Sequence, residues 1–130
     1  MARKTKGQRD YMERLRDPRW QRNRLAILER ADWRCEGCGT AEVNLQIHHG
    51  WYERGRMPWE YPAEALYCLC DGCHERAEST KAEAYQALGL IPPWHQAHAI
   101  ALLRDLQQLL AAGATQDELD ELKVERTELP

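Results

Sequence analysis

Two Cys-x-x-Cys pairs constrain the fold of this 130-residue chain more than any other feature. Four thiols in two close pairs can hold one tetrahedral zinc ion, whose binding energy contributes directly to folding. A small domain often needs such a staple because its hydrophobic core is limited. The pairs are Cys35/Cys38 and Cys70/Cys73, whereas the fifth cysteine, Cys68, lies in a short apolar segment typical of a buried side chain. We therefore predict a structural zinc site made by the four paired cysteines.

The use of cysteine and the distribution of charge limit the classes of protein to which this chain could belong. Paired cysteines of this kind are typical of metal binding in a reducing compartment. No apolar run approaches the length of a membrane span, so we expect a cytoplasmic protein with no membrane partner. The formal net charge is −3, yet residues 1–34 carry eleven Lys/Arg against five Asp/Glu. Such a basic block is suited to binding phosphate groups; for residues 1–8 a solvated arm is the alternative.

Local sequence signals predict an α+β chain in three parts. These are a basic disordered arm at residues 1–10, a core domain at residues 11–90 and a helical extension at residues 91–130. Asp17 followed by Pro18 is typical of a helix start. Residues 43–47 and 66–69 predict two short strands, and a helix is expected from His74 onward. The extension is expected to hold a leucine-rich amphipathic helix and a short helix that begins with a Thr-x-x-Glu capping box.

Three histidines accompany the cysteines. His48 and His49 are adjacent at the end of the first strand, so their side chains are expected to point to opposite faces. One of them could share a divalent ion with His74, and the other could act as a general base because its ordinary pKa lies near neutral pH. Such an arrangement suits phosphodiester hydrolysis. A purely structural role for the three histidines is the alternative.

The order of these blocks resembles a known family over about residues 11–78. The matching blocks are Tyr11…Pro18-x-Trp20…Arg24…Leu28-x-Arg30…Trp33-Arg34-Cys35-x-x-Cys38-Gly39, then Leu45-x-Ile47-His48-His49-x-x-Tyr52, then Leu66…Leu69-Cys70-x-x-Cys73-His74. Taken together, they resemble the HNH endonuclease family. The resemblance implies a small ββα-metal nuclease core, braced by a four-cysteine zinc site and flanked by an N-terminal helix and C-terminal helices.

The resemblance also implies roles for individual residues. It makes His48 and His74 ligands of a catalytic divalent metal, which could be Mg²⁺, Mn²⁺, Ni²⁺ or Zn²⁺, and it makes His49 the general base. Two positions depart from the family pattern. Ala65 stands where the family usually has the Asn that braces the loop carrying the base. Glu78 stands where a further His or Asn is common; it could be a third ligand of the ion, or a solvated helix residue.

The expected partner is DNA. Arg54 and Arg56 could clamp phosphates from the loop after the histidine pair, or they could be ordinary solvent-exposed groups. Arg22 and Arg24 in the basic N-terminal helix are further candidates for nucleic-acid binding. Aromatic side chains in the same loop could stack on bases, but packing onto the core is favoured; they are Trp51, Tyr52, Trp59 and Tyr61.

Two functions follow from these expectations. The first is a metal-dependent endonuclease that nicks DNA or cuts both strands. The alternative is a zinc-braced module without catalysis, which docks on DNA or on a protein of a larger phage or defence assembly. The C-terminal helices could cover the core, form a homodimer or bind a partner protein, and the sequence does not choose among these roles.

Overall fold

The computed structural model describes residues 2–127, with side chains described over residues 2–122. Within that part, five α-helices and one two-stranded antiparallel sheet confirm the predicted α+β class. In chain order the elements are α1 (Lys6–Leu15), α2 (Pro18–Arg30), β1 (Leu45–His49), β2 (Leu66–Cys70), α3 (Asp71–Gly89), α4 (Gln96–Ala111) and α5 (Gln116–Thr127). None of the helices described is both long enough and apolar enough to cross a membrane.

The chain forms two compact units, Met1–Lys81 and Ala82–Pro130. Their division falls inside α3, earlier than the domain boundary predicted after residue 90. Helix α3 continues without a break to Gly89, and all its side chains from 82 to 87 are exposed. The Gly and Pro residues that predicted a boundary therefore mark the end of a helix.

The N-terminal arm differs from its prediction, because α1 begins at Lys6 instead of leaving residues 1–10 disordered. The main-chain N–H of Thr5 donates to Gln8 Oε1 at 2.8 Å. In return, the N–H of Gln8 donates to Thr5 Oγ1 at 3.3 Å. This reciprocal capping box satisfies two of the N–H groups that a helix start leaves without partners. The basic composition of the arm concealed that local signal.

Helix α2 begins as predicted and supplies one wall of the core. Asp17 caps it by accepting from the N–H of Arg19 at 2.8 Å, and Pro18 occupies the first turn. One face of α2 buries large apolar side chains against the hairpin, and complete burial of a side chain such as Leu28 contributes roughly 1.5–3 kcal/mol. The buried members of this cluster are Trp20, Ile27, Leu28, Tyr61, Leu66 and Cys68.

The register of the hairpin places the two adjacent histidines in different surroundings. Strand β1 starts at Leu45, slightly later than predicted, and ends at His49. His48 pairs with Tyr67 and His49 pairs with Leu66. Directly opposite residues of an antiparallel pair share a face of the sheet, so His49 lies on the face of the apolar core. His48 lies on the other face, as the alternation along a strand predicts.

Helix α3 begins at Asp71, three residues earlier than predicted, so Cys73 and His74 both lie in its first turns. In the C-terminal unit, α5 begins with the predicted capping box, in which Thr115 and Glu118 exchange hydrogen bonds. Helix α4 has no buried residue among those described. Its exposed leucines are Leu102, Leu103, Leu106, Leu109 and Leu110.

Candidate metal centres

The four paired cysteines lie close enough to bind one metal ion. Their sulfur atoms are all within 4.8 Å of one another, and the Sγ atoms of Cys38 and Cys70 are 3.9 Å apart. A tetrahedral zinc ion with Zn–S bonds of about 2.3 Å requires sulfur–sulfur separations of about 3.8 Å. Cys68 is fully buried in the apolar core and lies outside this group, as predicted.

Glycines give the first cysteine turn the room that this cluster needs. A Cβ atom placed on Gly37 would lie 3.1 Å from the Sγ atom of Cys73, which is too close for an unstrained contact. Gly39 has a φ of 78°, which is in the left-handed region that glycine adopts most readily. The turn closes where the N–H of Gly39 donates to the carbonyl of Cys35 at 2.8 Å.

The surroundings of Cys35 favour its thiolate, the form that binds metal. Burial alone would raise the pKa of Cys35, but the N–H groups of Cys70, Cys38 and Gly37 stabilise the thiolate and lower this pKa to about 6. The pKa of Cys73 rises to about 12, mainly because its thiol hydrogen-bonds to Cys35. Arg76 donates to Cys73 Sγ at 3.0 Å and so offsets negative charge on the cluster.

A second interaction network ties the first cysteine turn to the core. Arg30 donates to both carboxylate oxygens of Glu36 at 3.0 Å and to the carbonyl of Leu66 at 2.6 Å. The carboxylate of Glu36 also accepts from the N–H of Cys68 at 2.7 Å. The two residues thus connect α2, the cysteine turn and β2. Sequence reasoning missed the role of Glu36, since its partner in β2, the N–H of Cys68, lies 32 residues away along the chain.

His48, His74 and Glu78 form a second group whose ligand atoms lie within 4.8 Å of one another. The Nδ1 atom of His48 is 3.2 Å from Glu78 Oε1, and the Nε2 atom of His74 is 3.9 Å from the same oxygen. His48 comes from β1, whereas His74 and Glu78 are one turn apart on α3. The strand and the helix therefore bring together the three residues that the sequence proposed as ligands.

The group fits a cation because one of its buried atoms lacks a hydrogen bond. The Nδ1 atom of His48 is buried and makes no hydrogen bond with the described residues, although Glu78 is near. Such an atom is costly unless something satisfies it. Burial, and then the charge of Lys81, lower the pKa of His48, which keeps the imidazole neutral and able to bind a metal. Two nitrogens and one carboxylate oxygen would leave coordination positions open on a transition metal.

His49 occupies an aromatic box on the other face of β1. Its ring stacks on Trp20 at 5.0 Å and on Tyr52 at 5.2 Å, and it meets Tyr61 edge-on at 4.9 Å. Its Nε2 atom lies 3.2 Å from the carbonyl of Pro58. A carbonyl only accepts, so this contact assigns the proton to Nε2 and the lone pair to Nδ1. Burial lowers the pKa of His49, so the ring is a fixed, neutral imidazole near pH 7.

Comparison with protein-family models, with curated proteins and with solved structures gave no match. No family is shown. The function proposed below therefore depends on the residues and geometry of this chain.

The four candidate arginines lie in different settings. Arg56 donates to Glu53 at 2.7 Å and to the carbonyl of Glu60 at 3.1 Å, so its guanidinium holds the loop together. Arg54 and Arg22 are exposed, and Arg24 is half-buried on α2.

The aromatic residues of the loop after the histidine pair also lie in two different settings. Trp59 and Tyr61 pack with the core, whereas Trp51 and Tyr52 remain exposed.

Proposed function

We propose that this protein is a metal-dependent endonuclease that hydrolyses DNA phosphodiester bonds. The observation that carries the proposal is the pair of adjacent histidines with different environments. His48 directs a buried, unsatisfied nitrogen toward Glu78 and His74, while burial keeps His49 neutral and the carbonyl of Pro58 fixes the orientation of its ring. One residue is thus suited to bind a cation and its neighbour to accept a proton.

The proposed residues divide the chemistry between them. His48, His74 and Glu78 would hold one divalent ion, which supplies charge stabilisation for the phosphate and the leaving oxygen. His49 Nδ1 takes a proton from the attacking water while the water oxygen forms a bond to phosphorus. The bond from phosphorus to the 3′ oxygen breaks, and this oxygen takes a proton from solvent. The products are a 3′-hydroxyl and a 5′-phosphate.

The cysteine site would give this centre its rigidity. Cys73 directly precedes His74 in the first turns of α3, and Cys70 ends the strand that pairs with β1. We propose that the four cysteines bind structural zinc, which fixes the start of α3 relative to the hairpin. The exposed basic residues of α1 and α2, together with Arg54, would contact DNA phosphates.

A supercoiled plasmid tests this function. Zinc-loaded protein is incubated with plasmid and added Mg²⁺, Mn²⁺, Ni²⁺ or Zn²⁺, beside His49→Ala and the control His98→Ala from the C-terminal unit. Loss of the general base is expected to slow nicking by about 10²- to 10⁴-fold, whereas the control cleaves like the native chain. Equal nicking by native protein and His49→Ala would refute the assignment of the base.

One observation favours a binding module as the second candidate. His49 is only 3% exposed, and Tyr52 stacks on its ring. A base so covered would reach water only if one of the aromatic rings around it moved. DNA binding without cleavage in any of the four metals would favour this second function.

A further inference from the structure

Lys81, which no sequence pattern identified, contacts both a proposed metal ligand and the main chain of the proposed general base. The Nζ atom of Lys81 is 3.5 Å from Glu78 Oε1 and donates to the main-chain carbonyl of His49 at 3.2 Å. It also lies 5.0 Å from the centre of the Tyr52 ring. Lys81 is half-buried, with about a third of its side chain exposed. It therefore links the residues of the candidate ion site to the candidate base.

Lys81 and a bound ion would compete for one oxygen atom. Glu78 Oε1, which pairs with Lys81, is also the oxygen nearest to His48 and His74. In the described part of the chain, Glu78 is the only carboxylate paired with Lys81. When the carboxylate turns to a divalent ion, the ammonium keeps a carbonyl and an aromatic face but no counter-charge. A half-buried cation beside a divalent ion then favours an incoming anion.

We propose that Lys81 is a phosphate-binding residue, released from Glu78 when the divalent ion binds. The inference rests on the proposed function, and it identifies a positive charge that the metal site alone does not supply. A divalent ion with one carboxylate leaves a single net positive charge, whereas a phosphodiester under attack by hydroxide carries two negative charges. The ammonium of Lys81 supplies the second positive charge. Tyr52 is largely exposed, so its ring can leave the ammonium when phosphate arrives.

The salt dependence of DNA binding tests this inference without cleavage. Each chain carries His49→Ala, so that the labelled duplex stays intact, and binding is measured over a range of salt with and without Mn²⁺. With Mn²⁺ present, Lys81→Met is expected to reduce the slope of log affinity against log salt by about 0.9, the value for one lost phosphate contact. Without added divalent ion the slopes are expected to agree, because Lys81 is then paired with Glu78.

Two control variants test whether the change in slope comes from the charge of Lys81. Lys81→Arg keeps the charge and is expected to keep the full slope with Mn²⁺. Lys6→Met removes a lysine from α1, and any change it causes is expected to be the same with and without the ion. Equal zinc content in all chains shows that they have folded. Equal slopes for Lys81→Met and its parent in Mn²⁺, or an equal loss in both conditions, would overturn the inference.

Cleavage by chains that retain His49 separates this inference from the proposed function. Lys81→Met is expected to lower kcat/KM by about 100-fold, the usual effect of losing one charge-stabilising group. If the native chain cleaves but the slope with Mn²⁺ does not change, the role of Lys81 is wrong and the nuclease proposal stands. If no chain cleaves but the slope changes as predicted, Lys81 binds phosphate and the nuclease proposal fails.

Discussion

Replacement of Gly37 by alanine is expected to weaken zinc binding by a steric effect that the geometry defines. The added Cβ atom would lie 3.1 Å from Cys73 Sγ, 3.4 Å from Cys73 Cβ and 3.5 Å from a methyl carbon of Leu69. The best separation for nonbonded heavy atoms is about 3.5–4.0 Å. The shortest contact is therefore too close by several tenths of an ångström, and it involves Cys73, one of the four proposed zinc ligands.

The size of the effect follows from how little Cys73 can move. Its sulfur would be bound to zinc and already accepts from Arg76 at 3.0 Å, so displacement would distort the whole cluster. Overpacking at such sites costs about 1–3 kcal/mol. Because each 1.4 kcal/mol is about a factor of ten, we expect zinc affinity to fall about fivefold to about 150-fold.

Competition with a coloured zinc chelator at neutral pH measures this change. The matched control is Gly72→Ala, in the first turn of α3 beside Cys73. The nearest atom to its added Cβ is the guanidinium nitrogen of Arg76 at 3.7 Å, an ordinary contact. Alanine also favours the helix over glycine, so this control is expected to bind zinc as tightly as the native chain. Equal affinity of Gly37→Ala and Gly72→Ala would refute the packing described here.

Two further predictions concern stability. Arg30→Lys keeps the charge but loses the planar guanidinium that binds Glu36, so we expect the free energy of unfolding of zinc-loaded protein, measured in guanidinium, to fall by about 1–3 kcal/mol. The exposed control Arg22→Lys should change this free energy by no more than about 0.5 kcal/mol. Equal unfolding midpoints for the two variants would contradict the bridging role of Arg30. Burial holds the pKa of His49 in the folded protein below its ordinary value of 6.5. The contribution of His49 to the free energy of unfolding is therefore complete above pH 6.5, and it is lost as the pH falls toward the lower pKa of the folded state. His49→Phe should therefore lose less unfolding free energy than the native chain between about pH 7.5 and about pH 5.5, and an equal loss would show that His49 does not titrate as argued.

Local signals predicted the parts of the fold that depend on neighbouring residues. Asp17 and Pro18 marked the start of α2 because capping involves atoms only two or three residues apart. The spacing of the cysteines identified the first group of candidate ligands, since Cys-x-x-Cys is a local pattern. For the second group, the residues themselves predicted an ion shared by His74 and one of the two adjacent histidines, whereas the choice of His48 and the addition of Glu78 came from the family resemblance. Alternation along β1 placed His48 and His49 in different environments.

Contacts between distant segments of the chain could not be predicted from the sequence. The role of Glu36 depends on Arg30 and on β2, and the box around His49 brings Trp20 together with Tyr61. Lys81 gave no signal because its partners come from a strand end, a loop and its own helix. Such groups become visible only when register and helix packing fix which side chains meet.

Anomalous diffraction from crystals of zinc-loaded protein soaked in Mn²⁺ tests the central claim, that two ions bind at separate sites. The account predicts a zinc peak within about 2.3 Å of the four cysteine sulfurs. It also predicts a manganese peak in coordination contact with His48 Nδ1, His74 and Glu78. A second peak that is absent, or that lies elsewhere on the chain, would contradict the candidate centre and the nuclease proposal based on it.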